Sequence, residues 1–340
     1  MKIYITPTDD FDKALAACDV GDTLELSEGE HYTKGNWYHR NWGYGINGVT
    51  IKGSLGGRSV VKLRNPVMQV AGVVRPQDDC NVLWLGANCA INDVDFDCSL
   101  PEYPHYHTGG LRFHGKFYVV NSAITGMRGN KAKGIEVFAI SGQGDTGGSI
   151  VQKVTVKDVK PDSYVSGIYV GGTVPTATRS FVERCNVNLG GKNMFCYSAN
   201  YETTFLDCRG DGAEAWFHND FKDTTSCYIK DCSGSASEAA VRIIGTEAVL
   251  RQVVVDACNF KAKRGLELWQ VDQPRMTGSV TFLHTKLDCQ YAACCVSPHI
   301  APTFIQCDIT DGAECQYRSG TTPPSFILGE KPTLIKFVTT

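Results

Sequence analysis

The chain has 340 residues, with 33 Lys and Arg against 36 Asp and Glu for a formal net charge of -3 at neutral pH. That balance gives no basic field for a nucleic-acid backbone. No stretch reaches the roughly 20 apolar residues of a membrane span, and the opening MKIYITPTDD has no signal-peptide core.

In chain order, the first predicted element is a short helix. DDFDKALAAC (9–18) puts Phe11, Ala14, Leu15 and Cys18 on one helical face. GDTLELSEGEHY (21–32) follows, with strand-like alternation on either side of a turn. Together these segments resemble the opening of the pectin-lyase-like superfamily of right-handed parallel β-helices. In that superfamily a capping helix precedes a GDT-hydrophobic-x-hydrophobic-x-x-G-x-Tyr phrase. The resemblance implies an all-β fold, a right-handed single-stranded parallel β-helix. It also supplies a handedness that periodicity does not.

From residue 48 onward one phrase recurs. It is weak in GVTIKG (48–53) and AINDVDF (90–96), and clear from YVVNSAI (118–124) through FVERCNV (181–187), YIKDCSG (228–234) and VVDACNF (254–260) to FIQCDIT (304–310). Alignment puts Ser122, Val154, Cys185, Cys208, Cys232, Cys258, Thr285 and Cys307 in one column, with steps of 22 to 32 residues. Steps of that size mark a solenoid and override the two or three domains that this length would otherwise suggest. The expectation is one β-helix domain over 1–340 of about ten coils, with an N-terminal cap (1–22), coils (23–318) and a C-terminal cap (319–340). The repeat also accounts for the 15 cysteines, an odd number without a CxxC pair. Column residues point inward, where small soft side chains pack as inert thiols.

Between these phrases lies a second strand, as in GLRFHG (110–115), GIEVFA (134–139), GIYVGG (167–172), NMFCYS (193–198), EAWFHND (214–220), AVRIIG (240–245) and GLELWQ (265–270). Strict alternation assigns an outward set to these strands. From the first four it takes Arg112, His114, Glu136, Phe138, Tyr169, Phe195 and Tyr197. From the last three it takes Trp216, His218, Asp220, Arg242, Ile244, Glu267 and Trp269. Aromatic rings interleaved with Arg, His and carboxylates suit a sugar polymer, since rings stack on apolar sugar faces and charged forks bind hydroxyl and carboxylate groups. A protein interface, including trimer packing, draws on similar residue types. The insertions 97–110 and 139–149 would wall such a groove. His105, His107 and His114 lack the spacing of a metal site on one element. A Ca²⁺ site built from Asp145, Asp211, Glu214 or Asp220 has suitable oxygen ligands.

Two chemistries fit this face. β-Elimination on a uronate polymer needs a cation for the carboxylate (Arg242 or Arg112), a base (His218) and an acid (Tyr197), the last two being interchangeable. Trp216, Trp269, Phe195, Tyr169, Glu136, Arg112 and His114 would line the groove. Glycoside hydrolysis, as in a tailspike-like depolymerase, would instead pair Asp220 with Glu267 across two coils. C5-epimerisation shares the proton abstraction, and a noncatalytic carbohydrate-binding or assembly protein would use the same face. The paired aspartates with Gly-His-Gly and Arg-x-Lys of polygalacturonases are absent, as is the Arg-x-Pro-x-x-Arg of pectate lyases. The expected partner is a polysaccharide, with the chain monomeric or trimeric. Such a substrate favours an extracellular setting, and a chain trimmed after export would begin as this one does.

Overall fold

The computed structural model describes residues 1–35, 46–64, 69–70, 73–74, 79–102, 106–132, 134–157, 164–172, 176–199, 201–221, 226–245, 249–270, 277–295, 300–327, 329 and 333–339. Three long sheets of 13, 11 and 11 strands run the length of the chain, and every neighbouring pair in them is parallel through the coils. We call them sheets I, II and III. Each coil visits them in turn. Thr203–Leu206 lies in sheet I, Arg209–Asp211 in sheet II and Ala215–Phe221 in sheet III, and Ser226–Lys230 then starts the next coil in sheet I. The molecule is a right-handed parallel β-helix. The helix Phe11–Ala16, N-capped by Asp10, buries Phe11 and Leu15 over its first coil. No described helix is long and apolar enough to cross a membrane.

The turn from sheet I to sheet II is made by one left-handed residue per coil. Asp93, Asn121, Lys153, Arg184, Asp207, Asp231, Ala257, His284 and Gln306 hold φ between 47° and 60°. One such residue reverses the chain sharply enough for the next to point inward. That next residue is the repeated column. Cys208 Sγ donates to the Leu206 carbonyl at 3.4 Å, while its N–H donates to Cys232 Sγ at 3.4 Å. Cys232 N–H donates to Cys258 Sγ at 3.4 Å, and Cys258 N–H to Thr285 Oγ1 at 3.3 Å. The thiols thus do what the Thr285 hydroxyl does when it donates to Leu283, satisfying turn groups that would otherwise be buried unpaired. Burial raises the Cys185 and Cys232 thiols, keeping them protonated. All 15 cysteines are free.

The C-terminal segment adds Ser325–Ile327 to sheet I and Lys336–Thr339 to sheet III. It extends the solenoid edge while leaving Leu334 and Phe337 exposed.

Candidate functional site

Register defines the outward row of sheet III. Trp84, Arg112, Ser141 and Tyr169 pair in sequence, followed by Cys196, His218, Arg242, Glu267 and Cys294. Five residues expected to face outward lie in this row, Arg112, Tyr169, His218, Arg242 and Glu267, and Glu136 and Phe138 open on the same face. His114 also points outward but pairs with Gln143 at the far edge of the sheet.

Three expectations are corrected. Phe195 pairs with Phe217 in an inward row and packs on Phe205, with ring centroids 5.8 Å apart. Tyr197 is fully buried inside the coil; its hydroxyl donates to the Tyr201 carbonyl and lies 3.0 Å from that of Ser226. It therefore cannot serve as an acid on the outer face. Trp216 is also fully buried, packed at a tilt between Phe195 at 4.6 Å and Phe260 at 4.7 Å, and its Nε1–H donates to the Ser233 carbonyl at 3.2 Å. Trp216 and Phe217 are consecutive, yet both are fully buried: the ladder skips the level of Met194, Trp216, Ala240 and Gly265, and this corner at the entry of sheet III breaks the two-residue alternation. The same corner holds Gly110, Ala139, Gly167, Met194, Ala240 and Gly265. A Cβ on Gly167 would lie 2.2 Å from the Met194 carbonyl oxygen. That row, small at every position but Met194, is the signal in the sequence that strict alternation overlooked.

Asp220 and Trp269 lie in strands paired through Ile244, but their side chains fall outside the described residues. Glu267 is therefore level with His218, not Asp220. Two strands and two residues separate Asp220 from Glu267, about 12 Å between Cα atoms at usual strand dimensions, so the two are neighbours on the sheet but not at one level.

Around His218 the structure assembles a small notch of about 70 Å³ lined by Glu136, Phe138, Tyr169, Lys192, Asn193, Cys196 and Tyr197, the last with its hydroxyl bonded to the Tyr201 carbonyl inside the coil. This is well below the roughly 300–1,000 Å³ of a pocket that encloses a whole ligand, so the notch is a recess in an open face. Lys192, Asn193 and Cys196 are members that alternation from the apolar residues had missed. Lys192 Nζ lies 3.0 Å from Glu136 Oε2, and Ser166 Oγ donates to Glu136 Oε1. Burial pulls the Lys192 ammonium down, but Glu136 and Tyr164 outweigh it and leave its pKa raised. On the other side, Arg242 Nε lies 2.6 Å from Glu267 Oε2, and Arg264 reaches the second oxygen at 3.6 Å. Phe138 and Tyr169 rings form one wall, 5.4 Å apart.

His218 is 8% exposed, and burial first, then the charges of Lys192 and Arg242, push its pKa down to about 3. It is a neutral imidazole at physiological pH. Its Nδ1 and the Asn193 Oδ1 are buried without a hydrogen-bond partner among the described residues. Burial, with Glu136 adding to it, raises the neighbouring Cys196 thiol, which is therefore no nucleophile at neutral pH. Farther along the row, Arg112 lies over the Trp84 ring at 4.1 Å and donates to Gln143 at 2.9 Å.

The other expected ligand groups do not converge. Among the described residues no three His, Cys, Asp or Glu side chains form a metal-sized cluster. Asp211 accepts from Ser235 at 2.6 Å and Glu214 pairs with Lys131 at 2.7 Å. His107 is buried, whereas burial and Arg112 lower the pKa of partly exposed His114. His105 lies outside the described residues.

No protein-family model and no curated protein matches the sequence. Among solved structures the chain is similar to a polygalacturonase from Erwinia carotovora ssp. carotovora, with a TM-score of 0.62 and 11% identity over 98% of this chain and 96% of that one. It also aligns with a GH136 lacto-N-biosidase from Eubacterium ramulus at 10% identity and a TM-score of 0.47, covering 100% of this chain and 68% of that one. The fold is a right-handed parallel β-helix, which this chain shares with that polygalacturonase.

Proposed function

We propose that sheet III binds an acidic, uronate-containing polysaccharide and cleaves it by β-elimination at His218. One observation carries this reading: a buried neutral imidazole, with an unpartnered Nδ1, held between two cations. A uronate carboxylate placed between Lys192 and Arg242 would offset the charges that depress His218. Its basicity would rise when substrate binds. His218 would take the C5 proton, the C5–H electrons would form the C4=C5 bond, and the C4–O4 bond would break. Tyr169, two strands away in the same outward row, takes over the role first given to Tyr197: its hydroxyl would protonate the leaving oxygen and regain a proton from water.

The structural neighbour named a polygalacturonase supports a saccharide substrate, but the paired aspartates and Gly-His-Gly expected of a polygalacturonase are absent from this sequence. Glu136 and Glu267 are no substitute pair, because five strand spacings separate them, ~24 Å at usual geometry. Both are also committed to cations.

The test is incubation with a panel of uronate polymers, following ultraviolet absorbance of the unsaturated product beside reducing ends. Wild type should produce both signals together. His218→Gln should lose at least about 100-fold in kcat while still binding polymer, and Tyr197→Phe should keep its kcat. Reducing ends without the unsaturated product would overturn the mechanism in favour of hydrolysis.

A further inference from the structure

The three sheets present different outer faces. That of sheet II is solvated, with Asn186, Arg209, Ser233, Asn259 and Lys286 in one register row. Sheet I instead carries an apolar stripe: Tyr118, Ile150, Phe181, Thr204, Tyr228 and Val254 pair in sequence, all part-exposed. Beside it runs a second outward row that includes Val120, Glu183, Leu206, Lys230 and Leu283. A contiguous apolar strip along a sheet face marks an association surface.

We infer that this face of sheet I binds a second copy of the same chain, with the two solenoid axes antiparallel. The order of residues selects that partner. A two-fold axis along the strand direction, over Thr203–Leu206, brings each strand before it onto the strand equally far after it in the other copy. Leu206 then meets its own counterpart, Phe181 meets Tyr228, Ile150 meets Val254, and Val120 meets Leu283. Glu183 meets Lys230 on both sides of the axis, and at the exposed rim Arg184 meets Asp231. A two-fold parallel to the solenoid axis and over this same row would set Glu183 on Glu183 and Lys230 on Lys230, so for this row charge selects the antiparallel arrangement. Asp207 meets its own counterpart at the exposed edge, where water and salt screen the repulsion. Nine strands, from Cys89–Asn92 to Thr303–Ile305, take part. At ~4.8 Å per strand and roughly 13 Å of breadth, the two faces together cover on the order of 1,000 Å², the lower end for a specific interface. The dimer should therefore be concentration-dependent. Sheet III lies on another face and stays open in it.

Sedimentation equilibrium on the full chain across a concentration series tests this. Wild type should fit a monomer–dimer equilibrium. Leu206→Asp, at the axis, should leave monomer with an unchanged circular dichroism spectrum. Glu183→Lys and Lys230→Glu should each weaken the dimer by about tenfold or more. The double variant should recover it, as should an equimolar mixture of the two single variants, because each then meets its complement. A monomer at every concentration, a trimer mass, or a dimer indifferent to both charge reversals would overturn the inference.

Discussion

His218 carries a cost that its neighbours impose. In the unfolded chain its imidazole titrates near ~6.5, while burial, Lys192 and Arg242 hold the folded value at about 3. Above pH ~6.5 the ring is neutral in both states and the fold keeps its full stability. As pH falls below that value, the unfolded chain takes a proton that the folded chain refuses until about pH 3, so stability declines across this window. Between about pH 7 and about pH 5 this group alone should cost roughly 2 kcal/mol. His218→Gln should remove that share, giving a shallower pH slope in denaturant unfolding. Equal slopes for wild type and variant would show that the ring is not buried against the two cations. His218, Arg242 and Glu267 were legible in the sequence because they are polar residues on a strand whose apolar neighbours fix its inner side. Tyr197 was not, since a phenol reads as either face until the register shows its hydroxyl bonded inside the coil.

Strand elements show a similar division between what repetition reveals and what packing decides. The column from Ser122 to Cys307 was legible because one position recurs in every coil. Its use as a hydrogen-bonding ladder was not, since thiol-to-carbonyl and amide-to-sulfur contacts depend on the turn before it. The corner in sheet III escaped alternation because Met194 and Trp216 occupy space left by glycines in sheet II. A Cβ on Gly234 would lie 3.0 Å from Trp216 Nε1, and one on Gly210 2.5 Å from Met194 Sδ. The turn ladder offers a direct test. Ala257 holds φ at 52° and is exposed, so its methyl bears a left-handed penalty with no packing in return. Asn tolerates this conformation better. Ala257→Asn should raise stability by roughly 0.5–1 kcal/mol, read as a higher denaturation midpoint with an unchanged slope. A lower midpoint would mean that the ladder resists a longer side chain there.

For the whole molecule, the fold was legible because nearest-neighbour stacking repeats one short phrase, and the opening helix and GDT phrase supply the handedness. The different outer faces were less so. Most strands of sheet I are short, such as Ser180–Glu183 and Thr203–Leu206, and carry too few outward positions for any one to show a pattern, which emerges only when register aligns Phe181 with Tyr228 two coils later. The same stacking governs how the 15 thiols behave. All are free, and 14 of them are buried, with only Cys18 partly exposed. Attack by a thiolate needs access, and the folded interior denies it. The unfolding midpoint should therefore be the same with and without a reducing agent, since no disulfide supports the fold. Heating in air-saturated buffer exposes the thiols together, and dissolved oxygen then oxidises pairs of them to disulfides that cross-link the unfolded chains. Recovery of native circular dichroism after cooling should rise markedly when reductant is present throughout, and blocking the unfolded thiols by alkylation should prevent refolding, because the ladder has no room for the added groups. A reductant-dependent midpoint would contradict the all-thiol interior.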